Sequence, residues 1–213
     1  MSRDYFAHKA ASFDQNTARV DNVAAIAEAL QATLRLDRTM HLMDFGSGTG
    51  LLLERIAPLV GKITAVDVSE SMNRQLAEKI PKLGCPVDIR PVDLVREAID
   101  GPFDGIISSM TLHHVEDIGA LFRRFRAMLK DSGFIALADL DSEDGSFHSE
   151  DTGVFHNGFD RAEISRIAEA AGFGEVAVVS ASVVRKPQRD YPVFLLTALA
   201  TLVATLNQMR TRL

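Results

Sequence analysis

Asp44 and Asp67 each close a short apolar run, Leu42-Met43-Asp44 and Ile63-Thr64-Ala65-Val66-Asp67, and Asp93 ends a third segment, Asp88-Ile89-Arg90-Pro91-Val92-Asp93. After the first comes Gly46-Ser47-Gly48-Thr49-Gly50, with glycine at every second position. Glycines in such a turn admit positive φ and leave no Cβ between backbone and ligand. The apolar residues from Leu51 onward take helical spacing, so free N–H groups face the same place. Residues 44–50 therefore read as the site of a small polar ligand. A carboxylate at the tip of the second strand, Asp67, can accept hydrogen bonds from both hydroxyls of a ribose. A fourth segment, Phe103-Asp104-Gly105-Ile106-Ile107-Ser108-Ser109, leads into Leu112-His113-His114-Val115. Its two imidazoles can exchange a proton near neutral pH. A last polar concentration, 141–156, holds five carboxylates and two histidines, His148 and His156.

Spacing sorts the candidate ligands. A dinucleotide fingerprint, G-x-G-x-x-G, would place its third glycine at position 51, which is Leu51. The pattern present is G-x-G-x-G preceded by an acid. A nicotinamide-dependent oxidoreductase is thus the weaker enzyme reading. The acidic loop can take a hard cation or a cationic substrate, but it has no diagnostic ligand spacing, and no metal site is assigned.

Four motifs in register over residues 40–140 give the chain a family resemblance. They are Asp44-Phe45-Gly46-Ser47-Gly48-Thr49-Gly50, then Val66-Asp67-Val68-Ser69, then Val92-Asp93-Leu94, and the segment from Phe103 to Ser109 with its two histidines. The chain resembles the class I S-adenosylmethionine-dependent methyltransferases, in the small-molecule group that includes the ubiquinone and menaquinone methyltransferases. That resemblance implies a doubly wound, Rossmann-like α/β fold, with seven strands in the order 3-2-1-4-5-7-6 and strand seven antiparallel. It implies S-adenosylmethionine at the carboxyl ends of strands one to four, leaving as S-adenosylhomocysteine.

By resemblance, Asp44 lies near the ammonium of the methionine moiety. The backbone of Phe45, Gly46, Ser47, Gly48 and Gly50 meets the amino acid and ribose. Asp67 takes the ribose, Val68 and Met72 pack on adenine, and Asp93 and the Leu94 N–H meet the adenine edge. Ser108 and Ser109 complete the cofactor set. Plainer roles stay open: Asp44 can fix the glycine turn, Met72 can be core, and Asp93 can cap a short helix over 94–99. His113, His114 and His148 are the candidate proton acceptors, although methyl transfer with good alignment can proceed without a base. Ser108-Ser109-Met110-Thr111 stands where amide and adenine N-methyltransferases carry an Asn-Pro-Pro-Tyr type signature. A binding protein without turnover is the non-enzyme alternative.

The elements that must position these groups follow from periodicity. The 213 residues suggest one domain, and 46% apolar content suffices for a layered core. Its parts are a helical lid over 1–36, a cofactor-binding core over 40–140, a substrate-side loop over 141–159 and a tail over 199–213. A helix from Leu51 is expected to stop near Pro58, and one capped by Ser69 to run through Met72, Leu76 and Ile80 and stop before Pro81. Asp117 is expected to cap a helix presenting Ile118, Leu121, Phe122, Phe125, Met128 and Leu129, with Gly133 as its stop. Strands are expected over 134–140, 176–184 and 193–198, and a helix opened by Asp160 and stopped at Gly172. Net charge −6 and pI near 5.5 disfavour a nucleic-acid partner. The single cysteine, Cys85, cannot form an internal disulfide. The first residues lack an apolar signal region, and the run 193–206 is too short for a membrane span. The expectation is a cytoplasmic enzyme, monomer or homodimer, whose partner is a small-molecule methyl acceptor.

Overall fold

The computed structural model describes residues 4–97, 99–148, 150 and 152–201. Seven strands form one sheet: β1 His41–Phe45, β2 Lys62–Val66, β3 Val87–Arg90, β4 Phe103–Ser109, β5 Leu129–Leu140, β6 Phe173–Arg185 and β7 Asp190–Ala200. Their order is β3-β2-β1-β4-β5-β7-β6, and only β7 runs antiparallel to its neighbours, as the resemblance implies. The registers Phe45↔Val66 and Phe45↔Ser108 align the carboxyl ends of β1, β2 and β4. Asp44, Asp67 and Ser109 therefore open onto one crevice.

Both faces of the sheet are covered. Met43, Phe45, Ile106, Ile135, Leu137 and Phe194 pack under α4 (Ile118–Met128) and α5 (Arg161–Ala170). Leu42, Ile63, Ile107, Ala136 and Leu195 pack under α1 (Thr17–Thr33) and α2 (Leu53–Ile56), with Leu76 of α3 (Glu70–Lys79) joining them. Alternate strand residues face opposite layers, so the central strands are apolar on both sides. In α1, Val23, Ile26, Ala27 and Leu30 recur at helical spacing and are all buried. Among the described residues no helix is long and apolar enough to cross a membrane.

Three helix caps stand where expected. Ser69 accepts from the Met72 N–H, Asp117 from Ala120 and Asp160 from Glu163. Several boundaries differ. The helix after the glycine turn is one turn long, because Gly50 at φ +83° delays its start and Pro58 lies in a 3-10 turn, Ala57–Leu59. α3 ends at Lys79 with Ile80 as its C-cap, so it stops before Pro81 as expected, and a 3-10 turn, Ile80–Lys82, follows. β3 stops at Arg90, since Pro91 has no N–H to extend the ladder. Residues 94–96 form a turn and no helix. α4 ends at Met128 and Leu129 already belongs to β5, so Gly133 lies inside that strand and is no helix stop. β6 and β7 are longer at both ends than their apolar runs. The part of the tail over 202–213 lies outside the described residues.

Candidate active site

The glycine turn is stitched from below by β2. The Gly46 and Ser47 N–H groups both donate to the Val66 carbonyl, at 2.8 and 3.1 Å. Asp67 holds it from the side: Oδ2 accepts from the Gly48 N–H and Oδ1 from the Ser69 N–H, each at 2.8 Å. Burial, followed by those two N–H bonds acting oppositely, leaves the Asp67 carboxyl above its ordinary range. One of its glycines is dictated by space. A Cβ on Gly46 (φ +72°) would fall 2.2 Å from the Thr111 side chain. One on Gly48 would meet nothing within 4 Å; there the positive φ of +53° favours glycine and the turn is open on that side.

Asp44 does not fix this turn; the Val66 carbonyl and Asp67 do. The Asp44 side chain is 1% exposed, and its Oδ2 has no hydrogen-bond partner. Burial, and secondarily the Asp67 charge, push its pKa to about 8. The hydroxyls of Ser47 and Ser109 are also buried without partners. Unsatisfied buried groups are rare in native proteins and call for an explanation. Ser108 is different: its hydroxyl donates to the Phe45 carbonyl at 2.7 Å and ties β4 to β1. The Phe45 ring is core, edge-on to Phe125, so only its backbone faces the crevice. Leu94 is also core, at 1% exposure. Met72 is buried while Val68, at the mouth, is 58% exposed. Asp93 caps its own turn, accepting from the Val95 N–H at 3.0 Å and pairing with Arg96 at 3.3 Å.

The amino-terminal segment crosses the crevice. Asp4 accepts from the Ser69 and Ser71 hydroxyls at 2.9 and 2.8 Å. Asp14 accepts from Thr49 at 2.6 Å and pairs with Lys79 at 2.5 Å. The Phe6 ring meets His114 edge-on at 5.7 Å, and Tyr5 lies against Gly153.

Beyond β4 the chain turns at Met110, a non-glycine at φ +57°, the kind of strain that clusters at functional sites. A 3-10 turn, Leu112–His114, follows. Here the three candidate histidines converge: ring centroids lie 4.3 Å apart for His113–His114, 5.0 Å for His113–His148 and 6.0 Å for His114–His148. Sequence reasoning gave Asp139 no role, yet it anchors the cluster. It is fully buried at the end of β5, with Oδ1 2.7 Å from His113 Nδ1. The Leu140 N–H donates to Oδ1 at 2.7 Å and the His113 N–H to Oδ2 at 3.3 Å. A polar residue within an otherwise buried strand was the available signal. The loop after β5 latches onto this turn, since Phe155 and His156 N–H donate to the His113 carbonyl. His156 Nε2 in turn reaches the Val115 carbonyl at 2.9 Å, outside the cluster. His114 and His148 are both pushed down to about 4, chiefly by burial and then by the charge of His113. His148 Nε2 is buried without a partner.

Among the described residues no group of three or more His, Cys, Asp or Glu is disposed to hold a metal ion. A cleft of about 360 Å³ between α4 and α5 contains neither the glycine turn nor the clustered histidines.

Comparison with known proteins identifies the family and agrees with the fold. A family described as a methyltransferase domain matches residues 15–178. The chain is 27% identical over 157 residues to an uncharacterized methyltransferase of Schizosaccharomyces pombe, covering 66% of this chain and 55% of that protein. It is 33% identical over 122 residues to a ubiquinone biosynthesis O-methyltransferase of Caulobacter vibrioides, covering 52% and 48%. It thus spans about half the length of the curated relatives it matches. Among solved structures, Haemonchus contortus phosphoethanolamine N-methyltransferase 2 with S-adenosylhomocysteine aligns at TM-score 0.67 and 16% identity, over 85% of this chain and 52% of that one. Magnesium protoporphyrin IX methyltransferase from Synechocystis with bound S-adenosylhomocysteine aligns at 0.66 and 19%, over 87% and 84%. At these identities the likeness is one of fold.

Proposed function

Because the chain belongs to the methyltransferase-domain family, we propose that it is an S-adenosylmethionine-dependent methyltransferase acting on a small-molecule acceptor. The observation that carries this is Asp44. It is a carboxyl group buried at a strand end, with an unpartnered oxygen beside an open glycine turn. A cationic ligand group would satisfy it, and the α-ammonium of the methionine moiety is such a group. In the same reading Asp67, which spends one acceptor site of each oxygen on a backbone N–H, uses its remaining lone pairs for the ribose hydroxyls. Val68 and Met72 flank the adenine, and Asp93 and the Leu94 N–H meet its edge. Ser47 and Ser109 supply free hydroxyls to the amino-acid end. Gly46, Gly48, Gly50 and the Phe45 backbone form the floor, while Ser108 acts through the Phe45 carbonyl.

Bound S-adenosylmethionine would supply a sulfonium methyl group to a nucleophile held in line with it. The chain's own part is alignment and exclusion of water. The segment from Asp4 to Asp14 serves as the lid, and 141–159 as the acceptor-side loop. The relatives' names favour a small acceptor. A nicotinamide ligand fits less well: Leu51 replaces the third glycine. Tyr5 and Lys9 do have the Tyr-x-x-x-Lys spacing of such oxidoreductases, but Lys9 is paired to Glu150 at 2.6 Å. Parallel calorimetric titrations with S-adenosylmethionine, S-adenosylhomocysteine and NAD test the reading. Micromolar binding of the two sulfur compounds without NAD is expected; binding of NAD alone would overturn it. A methyl-transfer assay on phenols, amines and thiols separates an enzyme from a binding protein.

A further inference from the structure

The histidine cluster bears on which acceptor the site takes. Asp139 receives three N–H donors, from His113 Nδ1, the His113 backbone and Leu140, and is fully buried. Its bonds are all made inside the fold, two on Oδ1 and one on Oδ2, and its charge acts on the neighbouring imidazoles. It does fix the His113 ring, because a proton on Nδ1 leaves the lone pair on Nε2. The surroundings of that ring are imidazoles and aromatics. His114 and His148 lie on it, Phe147 packs on His148 at 4.9 Å, and Phe6 on His114 at 5.7 Å. Lys186 lies over the Phe147 ring at 3.9 Å and contributes to keeping His148 uncharged. These rings set an aromatic surface beside His113, with Lys186 and the Glu143 carboxylate, which accepts from the Phe147 N–H, at its edge; such a surface suits a flat ring bearing a hydroxyl. The buried, unpartnered His148 Nε2 needs a polar group to meet it.

Resting on the methyl-transfer reading, we propose that Asp139 is a positioning residue that holds His113 as proton acceptor for a phenolic hydroxyl, with the acceptor ring among His113, His114, His148, Phe6 and Phe147. The hydroxyl proton passes to His113 Nε2. The freed oxygen pair bonds to the transferred methyl carbon, and the electrons of the broken carbon–sulfur bond stay on sulfur. Asp139 stabilises the imidazolium until solvent takes the proton. A phenol, with a pKa of about 10, is mostly protonated near neutral pH and benefits from such a base.

The test uses the full chain, with catechol and 4-nitrocatechol as acceptors and phenethylamine as the amine control. The 4-nitrocatechol hydroxyl is already ionised at about pH 8.5, unlike that of catechol. Asp139→Asn and His113→Gln are each expected to lower turnover of catechol by roughly 10²–10⁴-fold, and that of 4-nitrocatechol by less than about tenfold. Equal losses on both phenols would mean a structural role and overturn the proposal. So would turnover of phenethylamine in preference to catechol, or cofactor binding with no phenol turned over. Absence of cofactor binding by calorimetry would instead sink the methyl-transfer reading itself. Nitrogen-15 spectra of the histidine rings provide a readout free of activity and of any variant's folding. The His113 ring should carry its proton on Nδ1; a proton on Nε2 in the neutral ring would overturn the assignment.

Discussion

Replacing Asp44 by asparagine should strengthen the free protein and cripple the cofactor site, and both effects should depend on pH. Burial raises the Asp44 pKa from 3.8 to about 8. The folded chain therefore holds a proton that the unfolded chain has released, everywhere between those two values. Stability linked to this group is fully present below pH 3.8 and is lost as pH rises toward 8. One pKa unit corresponds to about 1.36 kcal/mol, so the loss by pH 7 is on the order of 4 kcal/mol. Asp44→Asn carries no such loss. It should match the wild type near pH 4 and exceed it by a few kcal/mol at pH 7.5, read by urea unfolding. Binding should show the mirror image. Pairing with the ligand's ammonium requires ionised Asp44, so uptake of S-adenosylhomocysteine near pH 7 should release most of a proton. Its affinity should rise up to about tenfold per pH unit from pH 5.5, then level off as pH passes about 8, where Asp44 is ionised before the ligand binds. Asparagine should remove the proton release and weaken binding at pH 8 by about 1.5–3 kcal/mol, roughly 10- to 150-fold. Calorimetry in two buffers of different ionisation enthalpy measures the proton directly. A wild-type affinity that is flat from pH 5.5 to 8, or a variant no more stable than wild type at pH 7.5, would refute the reasoning.

Other perturbations probe the surrounding parts. Asp67→Asn removes a charged acceptor from the Gly48 and Ser69 N–H groups; cofactor affinity should fall by at least about 1.5 kcal/mol in titration, and unchanged affinity would remove Asp67 from the site. His114 and His148 titrate near 4 in the fold against 6.5 outside it, so their contribution is present above pH 6.5 and lost as pH falls toward 4. With partial exposure discounted, this amounts to roughly 1–2 kcal/mol per ring. The stability difference between wild type and His114→Gln should therefore shift in favour of the variant between pH 7 and 4.5; a constant difference would contradict the burial argument. Gly46→Ala forces a Cβ 2.2 Å from the Thr111 side chain at φ +72° and should destabilise by at least about 2 kcal/mol. Adding Thr111→Gly should recover part of that loss, whereas simply additive losses would show the clash is not its source. Asp14→Asn, which weakens the tie to Thr49 and Lys79, should raise the rate of proteolysis within the first 16 residues, with unchanged cleavage counting against the docked segment.

Strands, caps and glycine turn were legible because each rests on local chemistry: an apolar run, an Asx or Ser cap, a glycine where φ is positive; the order of the strands in the sheet came from the family resemblance. What stayed hidden depends on groups far apart in sequence. Asp139 lies 26 residues from His113, and only the parallel register Ser109↔Ala138 brings the turn after β4 back over the end of β5. Periodicity could show that an acid interrupts a buried strand, but not what would meet it. The short α2 was hidden for a different reason: Leu51, Leu52 and Leu53 satisfy helical spacing, yet the left-handed backbone at Gly50 holds the chain in turns until Leu53.

Asp44 and Asp139 show why composition alone could not rank the acids. Both are 1% exposed or less, and both stand at or near the carboxyl ends of strands that flank β4. Water reaches neither, so each must be satisfied by something else. Asp139 finds three N–H donors within the fold, and its role ends with the imidazole it orients. The Asp44 Oδ2 finds none among the described residues. An acid paired inside the protein stabilises and positions; one left unpaired beside an open turn is a demand for a ligand of opposite charge. The difference between the two is a property of the register and the turn, and it is the ground on which Asp44 is proposed as a binding group and Asp139 as a positioning group.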